Sequence, residues 1–135
     1  MLMLAIDRAA RDGVSDDIAA EDVVREECAA GRRLPGFGHR THSQDPRTAV
    51  LLLMAEELGV AGAGVRMVRA FERAVGRQVK PLPINVDAAM AAILCDMGFP
   101  PVVAKLMFIV GRAAGLSAEV LEEYTRERPM RVKVP

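Results

Sequence analysis

Leu34-Pro35-Gly36-Phe37-Gly38-His39-Arg40-Thr41-His42-Ser43-Gln44-Asp45-Pro46-Arg47 is the stretch around which the rest of the sequence is arranged. Gly36 and Gly38 flank an aromatic residue, both histidines of the protein follow, and an Asp-Pro-Arg step opens a helix. Glycine has no Cβ, so such a run turns tightly and leaves its N–H groups open to a ligand. Imidazole is the only side chain whose unperturbed pKa lies near neutrality. Asp45 is a natural N-cap with Pro46 in the first turn behind it, which sets the direction in which Arg47 leaves the chain. One short segment therefore offers a proton carrier, a cation and open amides.

The pattern of apolar helical stretches broken by Gly, Pro and capping residues continues on both sides of this loop. Upstream, residues 1–12 read as a helix ended by Gly13. Ser15 then caps a second helix with Asp16 and Asp17 in its first turn, an apolar stripe of Ile18, Val23, Val24 and Cys28, and Gly31 as its stop. Downstream, Asp45 to Leu58 is apolar almost all round from Val50 to Met54, which predicts cover on more than one side, and Gly59 terminates it.

After Ala61-Gly62-Ala63-Gly64 comes a more amphipathic helix. Val68, Phe71 and Val75 point inward, Arg66, Arg69, Glu72 and Arg73 face water, and Gly76 closes it. Lys80-Pro81-Leu82-Pro83 is extended, because a proline biases its predecessor away from helix. It delivers Asn85-Val86-Asp87 to the head of a helix with Val86, Met90, Ile93, Leu94 and Met97 at helical spacing, ending at Gly98. Pro100 and Pro101 open a last helix reaching Arg126, apolar round most of its first half, with Gly111 and Gly115 embedded. The helices before it offer too little cover, which predicts that another chain or a further portion of the fold encloses it. No strand pattern is evident.

Composition agrees with an all-α fold. The 135 residues are 51% hydrophobic and only 4% aromatic, with no Trp, so the core is aliphatic and alanine-rich. A chain of this length buries roughly two-thirds of the surface that its unfolded form exposes. Eighteen basic residues balance 18 acidic ones, which gives no nucleic-acid surface. Cys28 and Cys95 lack metal-ligand spacing and read as buried free thiols. Charges at Asp7, Arg8, Arg11 and Asp12 break the first apolar stretch too early for a signal peptide, and Val102–Val110 is about half the length of a membrane span. The expected location is the cytoplasm.

Five motifs in this order, LPGFGHR, DPR, PINVD, VGRAAG and TRERPMR, together resemble the C-terminal part of citrate synthases and the related citryl-CoA lyases. The compact GHRTHSQDPRT and the ending TRERPMR are more similar to the lyase branch. The resemblance implies a citrate-synthase-like helical small domain over residues 31–100, and the long C-terminal helix of the large domain with its tail over 101–135. It implies formation or cleavage of the carbon–carbon bond between acetyl-CoA and oxaloacetate, through citryl-CoA.

By the same resemblance His39 hydrogen-bonds the oxaloacetate carbonyl or the citryl hydroxyl, and Asp87 exchanges a proton with the acetyl methyl group. Arg47, Arg112 and Arg128 hold substrate carboxylates, the last contributed by a neighbouring subunit. Leu34, Pro35, Gly36, Phe37 and Gly38 receive the adenine end of CoA. CoA is then a substrate, with no permanently bound cofactor and no metal; the partners are acetyl-CoA and oxaloacetate or citryl-CoA, and a homodimer or second chain.

The residue types suit that chemistry. Citryl-CoA cleavage needs a base at the hydroxyl, an acid for the enolate carbon and cations for several carboxylates. Histidine and carboxylate handle protons, and guanidinium forks grip carboxylates better than lysine does. Family members are longer, and their upstream portion supplies a second catalytic histidine, whereas this sequence has only His39 and His42. The expectation is an enzyme that needs an N-terminal portion supplied elsewhere.

Plainer readings of the same residues stay open. His39 can simply hydrogen-bond a turn, Asp87 can stabilise its helix dipole, Arg47 can pair with Asp45 or a surface Glu, and Arg128 can be a solvated tail residue. Arg112, one turn beyond an apolar run, needs a partner or a path to solvent. Arg33, Arg40 and His42 are candidates for CoA phosphates without individual assignment. A CoA- or carboxylate-binding remnant, or a helical dimerisation module, remain alternatives to the enzyme.

Overall fold

The computed structural model describes residues 1–39 and 43–126, with the side chain of Pro101 left aside. It contains six helices: α1 (Leu2–Asp12), α2 (Asp16–Ala29), α3 (Pro46–Glu57), α4 (Ala63–Gln78), α5 (Val86–Asp96) and α6 (Pro101–Thr125). The described residues form no strand beyond one isolated antiparallel bridge, Phe37 with Ile84. The fold is all-α. Two compact units divide it, Met1–Ala104 and Lys105–Pro135.

The first unit is built on α4. Its Met67, Ala70, Phe71, Ala74 and Val75 pack with Ala5 of α1 and with Ala19, Ala20, Val23 and Val24 of α2. On another face of α4, Val65 and Val68 join Leu52 of α3, Ile84, and Ala89 and Ala92 of α5. Small side chains set how closely these helices approach: a Cβ on Gly64 would stand 2.5 Å from the Ala92 carbonyl oxygen. Asp96 closes the same contact, accepting hydrogen bonds from the Gly62, Gly64 and Val65 amides at 2.7, 2.6 and 2.9 Å. A carboxylate from α5 thereby satisfies the open donors at the start of α4, where Gly62 has no capping side chain. Across α2 and α4, Arg73 and Arg77 bind Asp17 and Glu21 at the surface.

Several helix ends stand where capping residues put them. Ser15 accepts from the Ile18 amide, Asp45 caps α3 from Arg47 N, and Asn85 caps α5 from the amides of Asp87 and Ala88. Other expectations need correction. Gly76 lies inside α4, which continues to Gln78. The buried face of α2 is Ala19, Ala20, Val23 and Val24, while Ile18 is 50% exposed and Cys28 is exposed. In α5, Val86, Ala89 and Ala92 are buried and Met97 is exposed. Alanines win these positions because close helix packing leaves no volume for longer side chains. Neither thiol is buried: Cys95 is only half-covered, with its Sγ 3.2 Å from Met3 Sδ. Nor is α3 covered on several sides, since Leu52 and Ala55 are buried while Val50, Leu53, Met54 and Leu58 are exposed.

The second unit is essentially α6 and the residues after it. Leu106, Met107, Ile109, Val110, Leu116, Val120, Leu121 and Tyr124 are all about half exposed or more. Around Gly111 and Gly115 a Cβ would meet nothing within 4 Å. No helix among the described residues is long and apolar enough to cross a membrane.

Candidate active site

Gly36 and Gly38 both take positive φ, 94° and 76°, a backbone region that side chains disfavour. The Gly36 position is also crowded, since a Cβ there would lie 2.7 Å from Ala88 Cβ in the first turn of α5. Only glycine brings the loop this close. Between the two glycines Phe37 points into the core, touching both buried clusters, with its ring 6.4 Å from that of Phe71. An aromatic peg thus holds a glycine loop against the helix that carries Asp87.

Backbone and side-chain hydrogen bonds tie the same corner together. Gly38 N donates to the Pro83 carbonyl at 2.8 Å, and Asn85 N to the Gly36 carbonyl at 3.0 Å. The Asn85 side chain works in two directions. Its Oδ1 caps α5 at the Asp87 amide (3.0 Å), and its Nδ2 donates to the Gly38 carbonyl at 3.0 Å. Asn85 therefore connects the residue before His39 with the residue that bears the carboxylate. Glu72 accepts from Ile84 N at 2.8 Å, and Thr48 Oγ1 donates to the Ile84 carbonyl at 3.2 Å. Extended backbone at 83–85 would otherwise leave buried polar groups unpaired, and each such group is costly.

The result is a cavity of about 640 Å³ lined by Arg33, Leu34, Pro35, Gly36, Phe37, Gly38, His39, Asn85 and Asp87. His39 and Asp87 both line it and both are exposed. A second cavity of about 240 Å³ shares Pro35, Gly36, Phe37 and Asp87 with the first, and its remaining wall is apolar: Met1, Leu2, Val68, Phe71, Ala88 and Ala91. Asp87 thus borders a space of mixed polar and apolar lining and a mostly apolar one.

Arg47 does not line either cavity. Its Nε and one Nη grip the Asp45 carboxylate at 2.9 Å each, the pairing left open in the sequence reading. Asp87 still reaches it electrostatically, adding to the upward shift of the Arg47 pKa that the hydrogen bond to Asp45 dominates. Arg112 belongs to the second unit, where its guanidinium lies 5.6 Å from the Phe108 ring centroid, a cation–π contact. Arg128 lies outside the described residues, as do Arg40 and His42.

Two participants, Asn85 and Asp45, carried no long-range signal in the sequence, whereas Arg33 stood there as an unassigned candidate for CoA phosphates. Arg33 lines the main cavity, Asn85 bridges to the glycine loop, and Asp45 accepts from Val86 N at 3.1 Å as well as from Arg47. Asp45 was legible as a helix cap and Asn85 as standing at a helix head, but their second partners come from distant chain. No group of three or more His, Cys, Asp or Glu able to hold a metal occurs among the described residues.

Comparison with known proteins bears on this corner. Residues 2–133 match the family model for "Citrate synthase, C-terminal domain". A citrate synthase of Haloferax volcanii is 34% identical over 128 residues, covering 92% of this chain and 34% of that protein. A 2-methylcitrate synthase of Shewanella oneidensis is 29% identical over 122 residues, 87% of this chain and 32% of that protein. Among solved structures, citryl-CoA lyase from Hydrogenobacter thermophilus aligns with a TM-score of 0.74 at 36% identity, over 99% of this chain and 52% of that one. Citrate synthase from Thermotoga maritima aligns at 0.70 and 22% identity, over 97% of this chain and 38% of the other, which speaks to fold alone. The chain spans about a third of the length of these curated relatives. Since the match runs through the glycine loop, α5 and α6 alike, this chain belongs to the citrate synthase family.

Proposed function

We propose that this chain carries one side of an active site for carbon–carbon bond formation or cleavage between acetyl-CoA and oxaloacetate, through citryl-CoA. It would act in the cytoplasm, with further protein supplying the groups that the rest of the relatives' length provides. The supporting observation is the cavity that His39 and Asp87 both line, floored by a glycine loop pinned to α5. In the bond-forming direction Asp87 takes a proton from the acetyl methyl group. The enolate carbon attacks the oxaloacetate carbonyl carbon, and the carbonyl oxygen becomes the citryl hydroxyl as it gains a proton on the His39 side. Cleavage runs the same steps backward: the hydroxyl loses its proton toward His39, the carbon–carbon bond breaks, and Asp87 protonates the enolate carbon. No permanently bound cofactor takes part.

Leu34 to Gly38 receive the adenine end of CoA in this reading, on a loop whose Gly38 amide is itself committed to the Pro83 carbonyl. Arg47, Arg112 and Arg128 hold carboxylates, which guanidinium groups bind in two-pronged fashion. Residues 31–100 act as the small-domain-like region and 101–135 as the long C-terminal helix and tail. A second subunit accompanies the reading, because the resemblance has the arginine of the ERP motif contributed across subunits.

Calorimetry with CoA and with citrate tests the reading directly. Measurable binding of both, lost for CoA in Gly38→Val and for citrate in His39→Ala, is the expected result. Silence toward both ligands would remove the proposal. Turnover is then sought by mixing the chain with a separately produced upstream portion of a citryl-CoA lyase. Binding of CoA or citrate without turnover in any mixture would favour the second reading, a non-catalytic binding module. The exposed row on α6 supports a homodimer, and a dilute sample that sediments as a monomer and binds no apolar dye would exclude it.

A further inference from the structure

Asp45 is 3% exposed, one of the few charged or polar side chains buried in the fold. It stands at the head of α3, forty-two positions before Asp87. Four donors converge on its two oxygens. Oδ1 accepts from the Arg47 amide at 3.1 Å and from Arg47 Nε at 2.9 Å. Oδ2 accepts from an Arg47 Nη at 2.9 Å and from the Val86 amide at 3.1 Å.

Val86 is the first residue of α5 and the immediate neighbour of Asp87. A helix cap requires only the bond to the Arg47 amide. The other three bonds exceed that need. Two of them fix the plane of a guanidinium that is itself 47% exposed and therefore has room to move. The remaining one fixes the amide next to Asp87.

We infer that Asp45 is a positioning residue that locks the Arg47 guanidinium and the Asp87-bearing turn of α5 into one rigid unit. Guanidinium has five N–H donors, and the clasp takes two of them, so three stay available for a substrate carboxylate in an orientation already set. A long, flexible side chain held in advance loses less freedom when a ligand arrives. The charged state of Asp45 supports the same view. Its hydrogen bonds with the Arg47 side chain, and then with the Arg47 and Val86 amides, hold the carboxyl well below the usual carboxylate range.

The functional part rests on the reading proposed above, so the test has a branch that needs no ligand. NMR of the whole chain follows the Arg47 Nε–H and the Val86 and Asp87 amides. In the native protein the Arg47 Nε–H and the Val86 N–H exchange slowly with solvent; an Arg47 Nε–H that exchanges at the free rate overturns the inference without any variant.

Asp45→Ser keeps a capping oxygen and loses the fork. It is expected to shift the Arg47 Nε–H and the Asp87 amide together, whereas Asp96→Asn, a distant clamp, moves neither. A D45S protein in which the Asp87 amide stays in place overturns the link. In the ligand branch, D45S weakens citrate binding by roughly tenfold, and adding D45S to R47A costs clearly less than D45S alone, because the guanidinium that Asp45 holds is already gone and only the bond to Val86 N is left to lose. Costs that add in the double variant would overturn the inference. A native chain that binds no citrate ends the functional reading instead, leaving the NMR branch to decide on Asp45.

Discussion

The corner where residues 36–38, 45–47 and 83–87 meet differs from α6 in how its groups are satisfied. At the corner the backbone is irregular, and its polar groups are met by Asp45, Thr48, Glu72 and Asn85 reaching across long stretches of chain. Along α6 the backbone satisfies itself, and most of the large apolar side chains from Leu106 to Tyr124, Phe108 excepted, are exposed. The contrast teaches where specificity lies, since hydrogen-bonded irregular backbone tolerates little change, whereas an exposed apolar row is indifferent to detail until something covers it.

The largest expected effect comes from Gly36→Ala. The new Cβ meets Ala88 Cβ at 2.7 Å, and alanine must also adopt φ 94°. Strain and overpacking together should cost about 3 kcal/mol, read from urea unfolding of the chain. CoA binding should fall with it. A G36A protein of native stability would break the contrast at its strongest point.

Next comes Asn85→Ala, which removes the α5 cap and the tie to the Gly38 carbonyl. A loss of about 1–2 kcal/mol follows from the cap alone. Asn85→Asp sharpens the test by keeping the cap while losing the donor. It should retain most of the helix stability and disturb the His39 resonances.

Acid comes third. Asp45 has a folded-state pKa below its unfolded one, so its contribution is complete above the ordinary carboxylate value near ~4 and is lost as pH falls through the folded value. Asp12, Asp17, Glu26 and Glu27 shift the same way through hydrogen bonds to arginine, but at exposed or half-buried surface positions that salt screens. Urea midpoints should therefore hold from neutral pH to ~5 and fall below ~4. Added salt should shrink the part from the exposed pairs, and Asp45→Asn should lessen the remaining drop. Equal pH dependence in D45N and the native chain would contradict the assignment.

The smallest effect belongs to α6. Leu106→Ser with Val110→Ser alters side chains 52% and 70% exposed, so the free energy of unfolding should change by less than about 0.5 kcal/mol. Self-association and apolar dye binding should drop instead. A large loss of stability in the single chain would remove the distinction between the two regions.

Much of the helix order was legible, and the reason is local. Ser15, Asp45 and Asn85 cap the helices that follow them, and Gly13 and Gly59 stop α1 and α3 in left-handed geometry. Burial was harder to read. Counting large apolar residues put Ile18, Cys28 and Met97 inward, yet alanines at 19, 20, 89 and 92 fill the core because the helices approach closely there. The candidate site was visible as separate parts. His39 and Asp87 stood out by residue type and by resemblance, while the connections through Asp45 and Asn85 did not.

By itself the sequence determined the all-α class, the helix ends and the kinds of chemical group on offer, because caps, glycines and periodicity act over a few residues. Only the tertiary structure decided that Phe37 pegs the glycine loop beside Ala88, that His39 and Asp87 share a cavity, and that Arg47 is clasped by Asp45. Those outcomes depend on which distant polar groups lose water together and must find each other, and no local pattern carries that information.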